Sequence, residues 1–363
     1  MGKNLTVSFI AGILLSAVAL YFAFKNVPFG ELIHYIASIN YWWVLPSVLL
    51  VWTTFFLRAA RWRTILQSSQ NIGIWQAYHP LMIGFMMNCV LPGRVGEFAR
   101  PAILKKREKT PFATGLATVA AERVFDIFFL MVMFIAAFSL VEINPDLNLE
   151  FGSYQINQET LVRIFKGMVK LGILLIAGIA MVSFSSTRKV MQVVIGAIPR
   201  VFFFAGPKFQ SKLTEKFCEP LNGFVENIAL GFNLVKQPKK IILCVLYSLS
   251  IWSLHVISYW LIALGSPGMN LSVMEILVML VIIMFIIALP SVPGFWGLWE
   301  AGGVFALSLF GVSAKDAAGF TLTNHAVQMF PVIIAGFISA MIISTNIWQL
   351  SFNNAKASPP ADS

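Results

Sequence analysis

Two carboxylates and an arginine lie close together in an otherwise apolar stretch, as Glu122-Arg123-x-x-Asp126 within Phe112–Leu140. If the stretch is helical, Glu122 and Asp126 share a face because they are four positions apart, and Arg123 can pair with Asp126. Each charge inside an apolar span costs about 2.5–3.5 kcal/mol, so its presence indicates a role. Two roles fit the pattern: binding of a substrate or a proton, and a neutralised ion pair that holds this helix against its neighbours.

A second polar group surrounds a Pro-Gly pair at positions 92 and 93, and it contains Asn88, Arg94, Glu97 and Arg100. Pro followed by Gly suits the central positions of a type II turn, in which Gly takes the positive φ. Arg94 and Arg100 can hold a phosphate by bidentate hydrogen bonds, and the N-terminus of a following helix adds partial positive charge. The alternative is that both arginines only extend their charged ends to a membrane interface.

The same Pro-Gly-x-x-Gly spacing returns at positions 293–297, and Glu300 follows it as the nearest ionisable residue. Asn324, His325 and Gln328 place a further polar group in the last apolar segment. Glu300 and His325 are therefore candidates for substrate binding or proton coupling. A lone histidine in a membrane is more often a buried, hydrogen-bonded residue, and this alternative stays open.

The composition of the chain is that of an integral membrane protein. Of 363 residues, 58% are hydrophobic and only 12% are charged, and the mean hydropathy is +0.79. Soluble domains are nearer half apolar and a quarter charged. The net charge of +10 therefore indicates basic cytoplasmic loops facing anionic lipid, and we expect no nucleic-acid partner.

Signatures of an enzyme are missing from the sequence. There is no Walker motif, no nucleophile elbow and no set of His, Cys and Asp with metal-ligand spacing. The three cysteines form no obvious pair. We therefore expect no cofactor, no metal and no enzymatic activity, and the membrane carboxylates are the groups suited to acid–base work.

About 20 apolar residues are needed to cross a membrane, and the hydropathy pattern predicts an all-α polytopic protein with six full spans. We expect a single transmembrane domain over residues 1–350, with an amphipathic cytoplasmic segment at 185–240 and a disordered tail at 351–363. A short amphipathic piece, Glu31–Ile39, is predicted to lie in the interface. The predicted spans are Val7–Phe24, Trp42–Leu57, Phe112–Leu140, Leu161–Phe184, Ile241–Leu264 and Phe320–Ile343.

Two further apolar segments are each interrupted by a Pro-Gly pair, at Ile74–Leu104 and Val273–Phe310. Basic residues flank the first segment on both sides, so both of its ends are predicted to be cytoplasmic and the segment to be re-entrant. Three predicted spans separate the two segments, and an odd number of crossings inverts the second relative to the first. The sequence thus predicts an inverted repeat in the cytoplasmic membrane, with both termini inside. The basic flanks are Arg58, Arg61 and Arg63 on one side and Lys105, Lys106, Arg107 and Lys109 on the other.

Taken in order, the three motifs resemble the membrane part of the lysylphosphatidylglycerol synthase family, which is also described as flippase-like. The resemblance covers nearly the whole chain and implies a lipid translocator with two re-entrant elements. Because the soluble transferase domain of the longer members is not matched, we do not expect aminoacyltransferase activity. The motifs are Asn88 with Pro92-x-Arg94-x-Gly96-Glu97-x-x-Arg100, then Glu122-Arg123-x-x-Asp126, then Pro293-Gly294-x-x-Gly297-x-x-Glu300.

We therefore expect a lipid flippase or transporter that moves a phospholipid or a polyprenyl- or isoprenoid-linked lipid across the cytoplasmic membrane. Membrane lipids are the expected substrates. Two alternatives stay open. One is a membrane-embedded lipid-modifying enzyme that uses the same carboxylates. The other is a non-transporting partner of a cell-envelope glycosyltransferase, recruited through the basic segment at 185–240.

Overall fold

The computed structural model describes most of the chain, and the predicted span Leu161–Phe184 lies largely outside the described residues. The first half of the predicted span Val7–Phe24, the Pro-Gly pair at 92 and 93, and the tail at 351–363 also lie outside them. The described residues are 14, 16–25, 27–91, 94–140, 148–151, 154–157, 185–202, 206–219, 221–223, 237–288 and 292–343, with isolated positions between 162 and 177.

The described residues are almost entirely helical, as expected for an all-α protein. The exception is a two-stranded antiparallel hairpin in the loop after the fifth helix, formed by β1 (Asn148–Phe151) and β2 (Tyr154–Asn157). Residues 16–24 are helical as well. The helices are α1 (Phe29–Ala37), α2 (Val44–Leu66), α3 (Ile74–Val90), α4 (Gly96–Glu108), α5 (Phe112–Leu140), α6 (Ser185–Val201), α7 (Pro207–Leu213), α8 (Pro238–Leu264), α9 (Val273–Ile286), α10 (Leu298–Ser308) and α11 (Ala314–Ile342).

Within the described ranges, three helices are long and apolar enough to cross a membrane by length and composition. They are α2, α8 extended to Gly265, and α11, with 23, 28 and 29 residues. A helix of 20 residues already spans the roughly 30 Å hydrocarbon core. The 29-residue α5 has a similar length but carries Glu122, Arg123 and Asp126. The architecture is that of a polytopic helical membrane protein.

Helices α2 and α8 pack antiparallel and define the two ends of the molecule. At one end, which we call the Gly265 end, the main-chain N–H of Asn40 donates to the carbonyl of Gly265 at 2.8 Å. At the other end, the Lys240 end, the ammonium group of Lys240 donates to the carbonyl of Gln67 at 2.8 Å. The two helical hairpins are placed relative to these ends.

Helices α3 and α4 form the first hairpin, and its base lies at the Lys240 end. The amide of Gln76, at the start of α3, donates to the carboxylate of Glu108, at the end of α4, at 2.7 Å. Gln70, three positions after Gln67, donates to the carbonyl of Glu108 at 2.9 Å. The chain therefore enters and leaves this hairpin at the same end of the protein, as a re-entrant segment requires.

Two glycines allow the arms of the first hairpin to touch. A Cβ on Gly96 would overlap the main-chain carbonyl of Gly84 in the facing helix. The main-chain N–H of Gly96 also donates to Oδ1 of Asn88 at 2.8 Å. Because Gly96 begins α4, Asn88 satisfies one of the N–H groups that a helix start leaves unpaired. Asn88 thus ties the two arms together close to the tip.

Helices α9 and α10 form the second hairpin, and its base lies at the Gly265 end. Ser272 caps α9, and its main-chain N–H and hydroxyl both donate to Glu275. After α10 the chain starts α11, where Asp316 lies so close to Gly268 that a Cβ there would be 2.7 Å from the carboxylate. The second hairpin therefore also enters and leaves at one end, opposite to the base of the first.

The tip of the second hairpin contains the predicted Pro-Gly turn. The main-chain N–H of Phe295 donates to the carbonyl of Val292 at 3.1 Å, and Gly294 has φ of 72° and ψ of 6°. These are the values expected at the third position of a type II turn, where a Cβ is strained. Ser16 of the N-terminal helix accepts a hydrogen bond from the N–H of Val292 at 3.3 Å, so that helix packs on the tip.

The structure corrects the boundaries of two predicted spans. Helix α2 continues nine residues past the predicted end at Leu57, to Leu66, so Arg58 and Arg61 are buried within it rather than lying in a cytoplasmic loop. The prediction that these two arginines mark a basic loop is wrong, because both lie next to carboxylates of α5 inside the protein. Helix α11 begins at Ala314 rather than at Phe320.

Candidate functional site

The carboxylates of α5 take part in a buried ion network rather than pairing only within their own helix. Nη2 of Arg61 lies 2.7 Å from Oδ1 of Asp126 and 3.2 Å from Oε1 of Glu122. Nη2 of Arg100, on α4, lies 2.6 Å from the other oxygen of Glu122. Nη1 of Arg61 donates to the hydroxyl of Ser248 on α8 at 2.8 Å. The network therefore joins α2, α4, α5 and α8, as the structural alternative in the sequence predicted.

The network continues to a more open part of the protein through Arg123. Its guanidinium lies 3.4 Å from Glu97 of α4 and 3.3 Å from Asp126. The side chains of Arg123 and Glu97 are 32% and 27% exposed, whereas Glu122 is fully buried. Glu122 with Arg61 and Arg100 therefore forms a closed inner cluster, and Glu97 with Arg123 forms an accessible outer pair.

Arg58 adds a positive charge that the network does not fully satisfy. Nη1 of Arg58 lies 3.6 Å from Asp126, which already bonds to Arg61, and its Nε has no hydrogen-bond partner among the described residues. A buried guanidinium normally uses its donors, because an unpaired one costs free energy. The ion network contains one more arginine than carboxylates. Its members are Arg58, Arg61, Arg100 and Arg123 with Glu97, Glu122 and Asp126.

A cavity of about 370 Å³ lies between the ion network and the tips of the two hairpins. Its walls combine charged groups with aromatic rings, among them Phe55, Phe85, Trp252, Phe295 and Trp299. Of the residues predicted from the sequence, six line this cavity: Asn88, Arg94, Glu97, Arg123, Asp126 and His325. Arg100, Glu122 and Glu300 lie behind its walls, fully buried. The structure thus brings the three sequence motifs to one place.

The two hairpins meet at this cavity. Nη2 of Arg94, in the first hairpin, donates to the main-chain carbonyl of Ile287, in the second, at 2.7 Å. The same guanidinium lies over the ring of Phe295, 5.6 Å from its centroid. A Cβ on Gly294 would be 3.1 Å from the carbonyl of Cys89 at the end of α3. Direct contact between the tips therefore closes one side of the cavity.

Glu300, near the tip of the second hairpin, is hydrogen-bonded to His325, which lies on α11. Nδ1 of His325 lies 2.6 Å from Oε1 of Glu300, and its Nε2 lies 2.8 Å from the carbonyl of Gly294. The second carboxylate oxygen accepts from the N–H of Gly297 at 2.7 Å, at the start of α10. The imidazole stacks parallel to the ring of Trp299, with centroids 4.5 Å apart.

Sequence reasoning missed Arg58, Arg61 and Trp252 as members of the site. The sequence did contain a signal for the two arginines, because apolar residues continue at helical spacing through Ala59, Trp62 and Ile65. All three are buried in α2. Trp252 carried no signal, since one aromatic residue in an apolar span is ordinary. Its ring lies 5.8 Å from the guanidinium of Arg58.

The chemistry of the cavity favours an anion. Arg58, Arg94 and Arg123 face it together with only two carboxylates, Glu97 and Asp126. The described residues contain no group of three His, Cys, Asp or Glu side chains that could hold a metal ion. Guanidinium groups beside aromatic rings suit a phosphate attached to an apolar or sugar-bearing chain.

Comparison with known proteins gives distant relatives. Glycosyltransferase AglD of Haloferax volcanii is 25% identical over 94% of this chain, and the match spans 55% of that protein, so the chain corresponds to about half of it. A UPF0104 membrane protein of Pyrococcus horikoshii is 21% identical over 81% of this chain and 85% of its own length. A second UPF0104 membrane protein, from Methanocaldococcus jannaschii, is 22% identical over 72% of this chain and 95% of its own length. No solved structure matches the chain significantly.

The family described as the lysylphosphatidylglycerol synthase TM region matches residues 9–336, which include all three motifs and both hairpins. The two UPF0104 relatives agree with this match, and nothing in it indicates an aminoacyltransferase domain. The chain is therefore a member of the lysylphosphatidylglycerol synthase transmembrane region family.

Proposed function

We propose that this protein is a lipid flippase that moves a phospholipid or a polyprenyl- or isoprenoid-linked lipid across the cytoplasmic membrane. The observation that carries the proposal is the cavity where two oppositely inserted hairpins meet, with a positive excess on its walls. Interrupted hairpins that meet from opposite sides are typical of transporters with alternating access.

The anionic headgroup binds between Arg58, Arg94 and Arg123 in this proposal. Arg58 is the central ligand, because it lines the cavity and its one ion pair among the described residues is the 3.6 Å contact to Asp126, which already bonds to Arg61. A phosphate accepts bidentate hydrogen bonds from a guanidinium, each worth about 1.5–3 kcal/mol when a charge takes part. The rings of Trp252 and Phe85 then cover the part of the lipid next to the phosphate.

Movement follows from the opposite orientation of the hairpins. The base of the first lies at the Lys240 end and that of the second at the Gly265 end. Rocking one hairpin away from the other breaks the bond from Arg94 to Ile287 and opens the cavity toward one face. Closing it and rocking the opposite way exposes the same site to the other face, so the headgroup crosses without entering hydrocarbon.

Arg58→Gln tests the proposal most directly. The purified protein is reconstituted into vesicles that contain fluorescent phosphatidylglycerol or a fluorescent polyprenyl phosphate, and dithionite reduction of the accessible probe gives the transbilayer rate. We expect Arg58→Gln to abolish movement of at least one lipid, with partial recovery in Arg58→Lys. Arg63→Gln is the matched control, because Arg63 lies on the same helix and bonds instead to the carbonyl of Ile72. Movement of all lipids at the unaltered rate in Arg58→Gln would refute the proposal.

The relative named as a glycosyltransferase supports a second candidate, in which this chain serves as a non-transporting partner of a cell-envelope glycosyltransferase. In that case the basic segment at 185–240, which includes α6 and α7, recruits the enzyme. Deletion of this segment would then abolish the cellular phenotype, whereas Glu97→Gln would leave it intact. The flippase proposal expects Glu97→Gln to impair the cellular phenotype, because Glu97 lines the cavity.

The remaining alternative is a membrane-embedded lipid-modifying enzyme. We propose no chemical step for it. Glu97 and Asp126 are the carboxylates that face the cavity, but each already lies within 3.4 Å of an arginine. Mass spectrometry of the vesicle lipids after incubation separates the two activities. A lipid of altered mass would favour the enzyme.

A further inference from the structure

We propose that Glu300 and His325 form a proton-binding site that faces the central cavity, and that its occupancy controls the tip of the second hairpin. The role of this site in transport rests on the function proposed above. The number of protons bound at the site is independent of that function, because it follows from the hydrogen-bond geometry.

The two nitrogens of His325 have partners that fix their roles. The carbonyl of Gly294 can only accept, so Nε2, which lies 2.8 Å away, carries a hydrogen atom. Nδ1 lies 2.6 Å from Oε1 of Glu300, which is the distance of a strong charge-assisted hydrogen bond. With no proton between them, a lone pair would face a carboxylate oxygen at this distance, which is repulsive.

A single bridging proton therefore belongs to the pair. It can reside on the imidazole, as imidazolium and carboxylate, or on Glu300, as imidazole and carboxylic acid, and the total number of protons is the same. Both side chains are at most 1% exposed, so water does not substitute for the missing hydrogen bond. The pair is accordingly neutral as a unit while the site is occupied.

Release of this proton changes the tip of the second hairpin. When it leaves to the cavity, which His325 lines, Glu300 remains as a buried carboxylate that faces the Nδ1 lone pair. Either the imidazole turns away or its remaining hydrogen moves to Nδ1, and in both cases the hydrogen bond from Nε2 to the carbonyl of Gly294 is lost. Gly294 is the turn residue that lies against the carbonyl of Cys89 in the first hairpin. Loss of the proton therefore loosens the contact between the two tips.

The surroundings couple the proton to the proposed substrate. Tyr259 of α8 lies beyond the stacked ring of Trp299. The proton and an anionic headgroup bound to Arg58, Arg94 and Arg123 carry opposite charges and share one cavity, so they attract each other. Coupling between two ligands is reciprocal, so the proton would in turn strengthen headgroup binding. The titratable and charged groups that share the cavity with His325 are Arg58, Cys89, Arg94, Glu97, Arg123, Asp126 and His255.

Glu300→Gln is a matched variant that keeps the hydrogen bonds and removes the exchangeable proton. The amide NH₂ of a glutamine can donate to Nδ1, and its carbonyl oxygen can accept from the N–H of Gly297. This variant therefore reproduces the occupied site permanently. We expect it to fold and to show the same thermal unfolding temperature as the unaltered protein near neutral pH.

The first measurement follows the imidazole directly. The full chain, labelled with ¹⁵N-histidine, is placed in lipid nanodiscs, and the ¹⁵N shifts of its four histidines are recorded over a pH series, with His325→Gln for assignment. We expect Nδ1 of His325 to share a proton and to lose it in one step as the pH rises. In Glu300→Gln, the ring should stay neutral, with hydrogen on Nε2, throughout. An unaltered protein whose Nδ1 is bare over the whole series, or an identical titration in both proteins, would overturn the proposal.

The second measurement reports the tip without any lipid movement. Cys89 lines the cavity beside Gly294, so its alkylation by N-ethylmaleimide is measured in a background where Cys218 and Cys244 are serine. Ionisation of the thiol speeds the reaction at high pH in the unaltered protein and in Glu300→Gln alike. The rate in the unaltered protein is therefore divided by the rate in Glu300→Gln at each pH. We expect this ratio to rise severalfold at the pH where His325 titrates. A constant ratio would overturn control of the tip, and failure of lipid movement with a rising ratio would count only against the flippase function.

Discussion

Nη2 of Arg94 donates a 2.7 Å hydrogen bond to the main-chain carbonyl of Ile287, and this bond joins two hairpins that enter from opposite ends of the protein. Arg94 has a φ of 52°, in the left-handed region, as it leaves the tip of the first hairpin. The position is strained for a residue with a Cβ, and such strain is concentrated at functional sites. In the flippase proposal, this bond marks the place where the two hairpins separate when the cavity opens.

Replacing Arg94 should weaken anion binding more than it destabilises the fold. Arg94→Gln removes one charged ligand of the proposed phosphate, at a cost of about 1.5–3 kcal/mol, which is roughly ten- to hundredfold in affinity. Arg94 lies in a loop, and its partner, the carbonyl of Ile287, is neutral, so its replacement leaves no buried charge without a counter-ion. The unfolding temperature should therefore change little. Competition by soluble phosphate esters in the vesicle assay measures the first effect and thermal unfolding the second. An unchanged inhibition constant would contradict the assigned role.

Glu122→Gln should be strongly destabilising. It leaves Arg61 and Arg100 buried with one carboxylate fewer, and breaking a buried ion pair costs about 3–5 kcal/mol. Thermal unfolding in detergent micelles measures the change. Glu108→Gln is the control, because Glu108 pairs with Gln76 at the exposed base of the first hairpin and should cost less than about 1 kcal/mol. Equal unfolding temperatures for the two variants would contradict a structural role for the inner cluster of Glu122, Arg61 and Arg100.

Gly96→Ala should separate the arms of the first hairpin. The new methyl group would overlap the carbonyl of Gly84 and lie 2.6 Å from Oδ1 of Asn88, and overpacking of this kind costs about 1–3 kcal/mol or more. A lower unfolding temperature and loss of lipid movement are expected together. Gly30→Ala is the control, because nothing lies within 4 Å of its added Cβ, and alanine stabilises a helix by up to about 1 kcal/mol relative to glycine. A folded, active Gly96→Ala would show that the arms are not closely packed.

The Lys240 end should be cytoplasmic. With Arg58 and Arg61 buried, this expectation depends on Lys105, Lys106, Arg107, Lys109, Lys239 and Lys240, which all lie at that end or next to it. The positive-inside rule then places the Gly265 end outside. Single cysteines at Lys106 and Asn270, in a background without Cys89, Cys218 and Cys244, are labelled with an impermeant maleimide. We expect Asn270→Cys to react in intact cells and Lys106→Cys to react only after lysis, and the opposite pattern would invert the topology.

The sequence by itself determined the class of the protein and the placement of its breaks. Long apolar runs indicate which segments partition into a bilayer, and Pro-Gly pairs indicate where a helix ends. Both follow from residues that are neighbours in the chain. The return of the first hairpin to one end was also predicted, although two of the three arginines used as its first flank, Arg58 and Arg61, belong to the buried ion network. The turn at Gly294 has the form expected from Pro293 and Gly294 alone, because the type of a turn depends on local backbone preferences.

Only the tertiary structure decided which charges pair. Arg61 bonds to Glu122 across 61 positions, and His325 bonds to Glu300 across 25. No local pattern contains these choices, because the free energy of a buried charge depends on the atoms that packing brings next to it. Reading Arg58 and Arg61 as loop charges failed for this reason, since the carboxylates that allow their burial belong to another helix. The meeting of the two hairpin tips likewise required the packing of helices that lie far apart in the chain.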